Sequence, residues 1–297
     1  MATAFCPAHI TGFFKAELNK EDSKQLGSLG AGFSIQKGVK TTVTIRNKTK
    51  HDISNFTIKV NGFESGDMKV SEVVLSKFPT KEKFVDVLHE IDVPVGYGFG
   101  SSAAVALSLS IALNDALECK LSKIKVAQIA HDVEIECKTG LGDVLASYHG
   151  GFEIRDKPGA PGIGHVQKIA LNEISIIMIC FSPISTSKFI KERLPQINGL
   201  GGKMVNKLLE SKNYEHFQEM SLEFAKYVDV MTPRMQKVVN ELSKNNIKCG
   251  IALFGETIFS MIPKENENKV LKILKKYSDG IIIKSKLDNV GARVLHN

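Results

Sequence analysis

Tryptophan is absent from the 297 residues and tyrosine occurs only five times, so little aromatic surface is available on which single-stranded bases could stack. No run of about 18 apolar residues escapes a charge or a glycine, which excludes a membrane-spanning helix. The start, MATAFCPAHITGFF, carries no basic stretch ahead of its apolar residues, and the chain reads as cytosolic. The five cysteines (Cys6, Cys119, Cys137, Cys180, Cys249) are odd in number, widely scattered and never in a Cys-x-x-Cys pair. Neither a disulfide framework nor a zinc site is expected from them. Internal repeats and low-complexity tracts are also missing.

What is present is an ordinary globular composition, 43% apolar and 24% charged, long enough for one large or two modest cores. The net charge of +7 suits an anionic ligand, and by itself would equally suit nucleic acid. Alternating TTVTIRN and FTIKV read as strands, the second closed by Asn61-Gly62, a hairpin signal. Gly27, Gly30, Gly32 and Gly38 punctuate the stretch ahead of TTVTIRN, with Ser28 in that glycine-rich turn. ISIIMICF (174–181) reads as a buried strand, followed by helical patterns near 187–194, 200–211, 214–229 and 233–245. CGIALFGETIFSMI reads as a hairpin about Gly255-Glu256, and a helix (266–277) and a strand (280–284) close the chain. The mixture predicts an α+β architecture. The density of breakers in Pro158–Gly162 puts a domain boundary there, giving units 1–162 and 163–297.

The chemistry gathers at PVGYGFGSSAA, Pro94 to Ala104. Gly96, Gly98 and Gly100 run into Ser101 and Ser102, and then into a helix with almost no polar face, which must be buried. A fixed helix N-terminus offers unpaired N–H groups and a partial positive charge, and glycines let the backbone curl around an anion such as phosphate. The loop holds no Gly-Lys-Ser/Thr, so it is not a Walker A motif, and Ser101 stands where a dinucleotide fingerprint needs its third glycine. A bare packing turn is the alternative.

Phosphoryl transfer to an alcohol also needs a magnesium carboxylate and profits from a carboxylate that accepts the hydroxyl proton. Further along lie His131 and Glu134, three apart on one helix face, and Asp143 after Gly140-Leu141-Gly142. Asp143 could instead cap the helix that follows, and Glu134 could be a solvated helix residue. Arg155 ends a strand and could pair at the surface with Glu153 or Asp156.

The loop resembles the second motif of the GHMP kinases, a superfamily of small-molecule kinases in which it wraps the ATP phosphates. Together CPAHITGFF, GSLGAGFSI, PVGYGFGSSAA, AHDVE, TGLGDVLASYHGGFEIR, PGAPG and FGETIF resemble one archaeal subgroup that phosphorylates the primary hydroxyl of a small hydroxy acid on the way to coenzyme A. The resemblance implies a two-domain fold, with an N-terminal domain of ribosomal-protein type and a C-terminal α/β sandwich. It also implies ATP and Mg2+ as cofactors, a cytosolic homodimer, and no nucleic-acid or membrane partner. By residue, it puts ATP on Pro94, Gly96, Gly98, Gly100, Ser101, Ser102 and Ala103. Magnesium falls to Ser102 (or Ser101) and Glu134 (or Glu136), the proton to Asp143, and the acid to Ser28, His131 and Arg155, whose guanidinium can grip a carboxylate with two parallel hydrogen bonds. The superfamily's glycine-rich third motif is reduced to Gly250 and Gly255, and its N-terminal lysine is missing, since residues 7–12 read PAHITG. A mevalonate- or homoserine-like substrate is the competing enzymatic reading, and a nucleic-acid-binding protein the non-enzymatic one.

Overall fold

The computed structural model describes residues 1–63, 67–171 and 173–296. In chain order the elements are β1 (Ala2–Glu17), β2 (Gly27–Asn47), β3 (Phe56–Gly62), α1 (Lys69–Ser76), β4 (Lys83–Ile91), α2 (Ser101–Ala116), α3 (Lys123–Cys137), α4 (Asp143–His149), β5 (Phe152–Lys157) and β6 (His165–Ile169). There follow β7 (Ile174–Pro183), α5 (Thr186–Ser211), α6 (Tyr214–Tyr227), α7 (Pro233–Lys244), β8 (Gly250–Ala252), β9 (Gly255–Pro263), α8 (Glu267–Leu274), β10 (Ile281–Lys286) and β11 (Arg293–Leu295).

Among the described residues the strands form two sheets. One runs β11-β1-β2-β4-β3, with β5 joining β2 beyond the end of β4 and β6 joining β5; the other runs β10-β7-β9-β8. β1 and β2 pair antiparallel over almost their whole length, with register shifts at Pro7/Ala8 and Thr11/Phe13. The glycine-punctuated turn expected before TTVTIRN is instead the first half of β2, so Ser28 lies on a strand. The glycines there make room: a Cβ at Gly38 would strike the Cys6 carbonyl, and one at Gly32 the His9 ring.

The hairpin expected at Asn61-Gly62 does not form. β3 pairs with β4 in parallel, through Phe56↔Val85 to Gly62↔Ile91, and a parallel pair needs the crossover that α1 supplies. The two helical patterns at 187–194 and 200–211 are one helix, α5, which runs through Pro195.

Hydrophobic burial joins the two sheets. Phe13, Phe33 and Phe152 of the first meet Phe217 of α6 and Phe259 of β9, with Phe33 and Phe259 edge to face at 5.0 Å. All five side chains are fully buried. α2 lies across β1 and β2 with both faces buried, as its composition requires. Sheet membership crosses residue 162, since β6 pairs with β5 and the last strand, β11, returns to pair with β1.

Candidate active site

Gly96, Gly98 and Gly100 take φ of +84°, +86° and +56°, the left-handed region open to glycine at no steric penalty. The turn they make is tied down from the other half of the chain. The Gly96 carbonyl accepts the Ile184 N–H at 2.9 Å and the Tyr97 carbonyl accepts the Thr257 hydroxyl at 2.8 Å. Gly100 caps α2, and Gly96, Gly98, Gly100, Ser101, Ser102 and Ala103 line one wall of a cavity of about 260 Å³. Pro94 is buried behind the loop and does not line it. The N-terminus of α5 (Ser185 to Ser187) lines the same cavity, so two helix N-termini border it. Lys138, exposed at the C-cap of α3, lines it as well and is a candidate for the cation that the loop itself lacks.

Asp143 and Thr11 line this cavity too. Asp143 is the first residue of α4, with Gly142 rather than Asp143 in the capping position, and its side chain is 13% exposed. Its Oδ1 lies 2.8 Å from Nδ1 of His9, a wholly buried imidazole on β1. Nε2 of the same ring lies 2.9 Å from Oε1 of Glu153, and Nη1 of Arg155 donates to that oxygen at 2.6 Å. Each ring nitrogen thus faces a carboxylate oxygen, an arrangement that favours the doubly protonated ring, in which both nitrogens donate. Burial works against that charge, but the hydrogen bonds to Asp143 and Glu153 outweigh it and raise the His9 pKa. The result is a buried chain of alternating charge, Asp143–His9–Glu153–Arg155.

Arg155 is therefore not the surface arginine it could have been: it is 1% exposed and paired with Glu153. Nη2 reaches the Thr11 hydroxyl at 3.4 Å, and Nε, buried, has no partner. With Ser28, Gly142 and Asp143 it borders a second cavity of about 10 Å³, closed over by Ile190 and Phe254. That volume holds about one water, so a hydroxy acid enters only if this wall moves. His131 lines neither cavity; its Nε2 donates to the Ser23 carbonyl at 3.1 Å.

Glu134 and Glu136 separate cleanly. Glu136 is exposed and accepts from Lys77 at 2.7 Å. Glu134 is 1% exposed, and neither carboxylate oxygen has a hydrogen-bond partner of ordinary geometry. Burial and the nearby Asp143 charge push its pKa well above the usual carboxylate range, against the opposing pull of the Val144 and Asp143 N–H groups at the start of α4. A Cβ at Gly140 would come within 3.0 Å of a carboxylate oxygen of both Glu134 and Asp143. Two carboxylates this close, one buried and unpartnered, fit a divalent cation. Magnesium keeps waters and phosphate oxygens in its shell and needs only one or two protein carboxylates.

The sequence reading thus named the loop, Asp143, Glu134, Ser28 and Arg155, which the fold brings together. It missed Glu153 as anything but a surface partner of Arg155. The signal for Glu153 was available: in GFEIR, Glu153 and Arg155 lie two apart on a strand and share a face, among buried Phe152 and Ile154.

A left-handed glycine loop at the N-terminus of a buried helix, beside a carboxylate and a guanidinium, on a two-sheet α+β frame, is an arrangement that suits a small-molecule kinase. The profile described as "GHMP kinases N terminal domain" matches residues 68–151. The chain is 33% identical over 277 residues to the pantoate kinase of Methanocaldococcus jannaschii, covering 91% of this chain and 96% of that one. It is 29% identical to the pantoate kinase of Thermococcus kodakarensis, covering 91% of each. A solved structure titled "Phosphotransferase related to CoA biosynthesis pathway" superposes with a TM-score of 0.88 at 28% identity, over 98% of this chain and 97% of that one. The fold is that of the GHMP kinases, and the chain belongs to their pantoate kinase family.

Proposed function

We propose that the chain transfers the γ-phosphoryl group of ATP to the primary hydroxyl of (R)-pantoate, giving 4-phosphopantoate and ADP, in archaeal coenzyme A synthesis. The observation that carries this reading is Asp143, whose carboxylate borders both the loop cavity and the Arg155 pocket. The N–H groups of the Gly96–Ala103 loop hold the triphosphate, with Pro94 shaping the turn from behind. Glu134 and Ser102, or Ser101, would hold magnesium, which would supply neutralisation of the charge on the phosphates. Asp143 orients the hydroxyl and takes its proton as the new P–O bond forms and the bond to ADP breaks. Arg155, through Nε and Nη2, binds the pantoate carboxylate, with Ser28 beside it.

The same reading carries a cytosolic homodimer divided near residue 162; light scattering of the purified protein tests the dimer. Activity is tested by ADP release from magnesium-ATP with pantoate, pantothenate, mevalonate and homoserine in turn. Turnover confined to pantoate is expected; turnover only on mevalonate or homoserine would keep the kinase and overturn the substrate. Asp143→Asn should lower kcat by about 100-fold or more with the KM for ATP little changed. Near-normal turnover in that variant would remove Asp143 from the chemistry.

A further inference from the structure

Outside the loop and the two carboxylates, the charged group most completely enclosed by other charges is His9. It sits on β1 with its backbone N–H fixed to the Phe99 carbonyl of the phosphate loop at 3.0 Å. Asp143 of α4 meets one ring nitrogen, and Glu153 and Arg155 of β5 meet the other; on its own strand only the Thr11 hydroxyl comes near, at 3.4 Å. Gly32 of β2 closes the fourth side, where a Cβ would collide with the ring. An imidazole gripped this way has one orientation, and it passes that orientation to the carboxylate it holds.

We propose that His9 and Glu153 are a positioning pair: His9 aims the Asp143 carboxylate at the substrate hydroxyl, and Glu153 locks Arg155 at a fixed span from it, so that together they set which hydroxy acids present their hydroxyl to the phosphate. The inference rests on Asp143 as proton acceptor and Arg155 as carboxylate clamp, and neither His9 nor Glu153 touches substrate. Acidic and basic side chains alternate along the chain, carboxylate, imidazole, carboxylate, guanidinium, an order that lets such groups pack in a nearly dry interior. A rigid second layer of this kind keeps a proton acceptor within the small tolerance that transfer requires.

The test is a kinetic cycle. His9→Asn should lower kcat about 10- to 100-fold, with KM for ATP and for pantoate within about threefold of the parent. In an Asp143→Asn background the same change should cost almost nothing more, because the residue it acts through is already disabled. Glu153→Gln should act mainly on the KM for pantoate. Wild-type kcat in His9→Asn, or an undiminished loss in the Asp143→Asn background, would overturn the proposal; so would a Glu153→Gln effect on ATP rather than pantoate. The 15N spectrum of histidine-labelled wild-type protein needs no substitution at His9. One histidine signal that moves in Asp143→Asn and in Glu153→Gln is expected; a set of signals unmoved by both overturns the bridge. Should Asp143→Asn itself turn over normally, the catalytic reading fails, whereas a dead Asp143→Asn beside a fully active His9→Asn sinks only this inference.

Discussion

Glu134 carries a conflict that the isolated fold does not resolve. Its carboxylate is buried, unpartnered and close to Asp143, and its pKa is raised for both reasons. A raised carboxylate pKa means that the native state holds its proton more tightly than the unfolded chain does. The ligand-free fold is therefore penalised as pH climbs past the unfolded value, and the penalty is fully present above the folded one. Glu134→Gln should raise the melting temperature of ligand-free protein at pH 8 by a few degrees, at about 2–4 °C per kcal/mol for a chain of this size, while turnover falls steeply. Calorimetry at pH 8 and pH 5 checks it: the gain should shrink at pH 5, and no gain at pH 8 would mean that the charge is compensated in the free enzyme. At this scale the sequence was legible where a residue's role follows from its neighbours in the chain, as at Gly96 to Ser102. It did not show His9 as a bridge between two carboxylates, because those partners, Asp143 and Glu153, lie 134 and 144 positions away.

Elements were legible where one periodicity ran unbroken, and α2, α3 and β7 stand close to where their patterns put them. β3 was misjudged because Asn-Gly is a local signal, and the pairing that prevailed is between strands separated by a helix. That helix, α1, meets β2, β4 and α2 around one buried polar knot. His89 of β4 has Thr41 of β2 at 2.8 Å and Ser71 of α1 at 3.1 Å, and Thr41 in turn holds Ser108 of α2 at 2.7 Å. Burial among these hydroxyls lowers the His89 pKa to about 4. The imidazole stays neutral in the fold while the unfolded chain takes up a proton below pH of about 6.5. Stability from this site is thus complete above that pH and declines toward pH 4, by roughly 3 kcal/mol in all. Urea unfolding at pH 7 and pH 4.5 should show this loss in the wild type and a much smaller one in His89→Asn. Equal losses in both would place the acid sensitivity elsewhere.

For the molecule as a whole, the last strand decides how the site is held. β11 pairs with β1 through Thr3↔Leu295 to Phe5↔Arg293, on the strand that carries His9 and Thr11. Its approach is fixed by Asp288, 3% exposed, which accepts from the N–H groups of Val290 and Gly291 and from Arg293 at 2.9 Å. The Asp288 carbonyl in turn takes the Gly151 N–H at 2.7 Å, next to the strand that carries Glu153 and Arg155. The C-terminal segment therefore clamps both strands of the charged chain from outside the cavity, and no local pattern in GARVLHN announces this, because three residues of edge strand carry too little periodicity to read. Removing residues 289–297 deletes no part of the glycine loop or the second sheet, but frees one edge of β1, the side of α2 that meets β11, and the turn before β5. The truncated protein should still bind ATP with near-normal affinity, while its KM for pantoate rises and its kcat falls about 10-fold or more. Isothermal titration with ATP beside steady-state kinetics separates the two effects. Loss of ATP binding together with turnover would instead mean that β11 supports the fold as a single cooperative unit, because β1 also anchors the loop through His9 and Phe99.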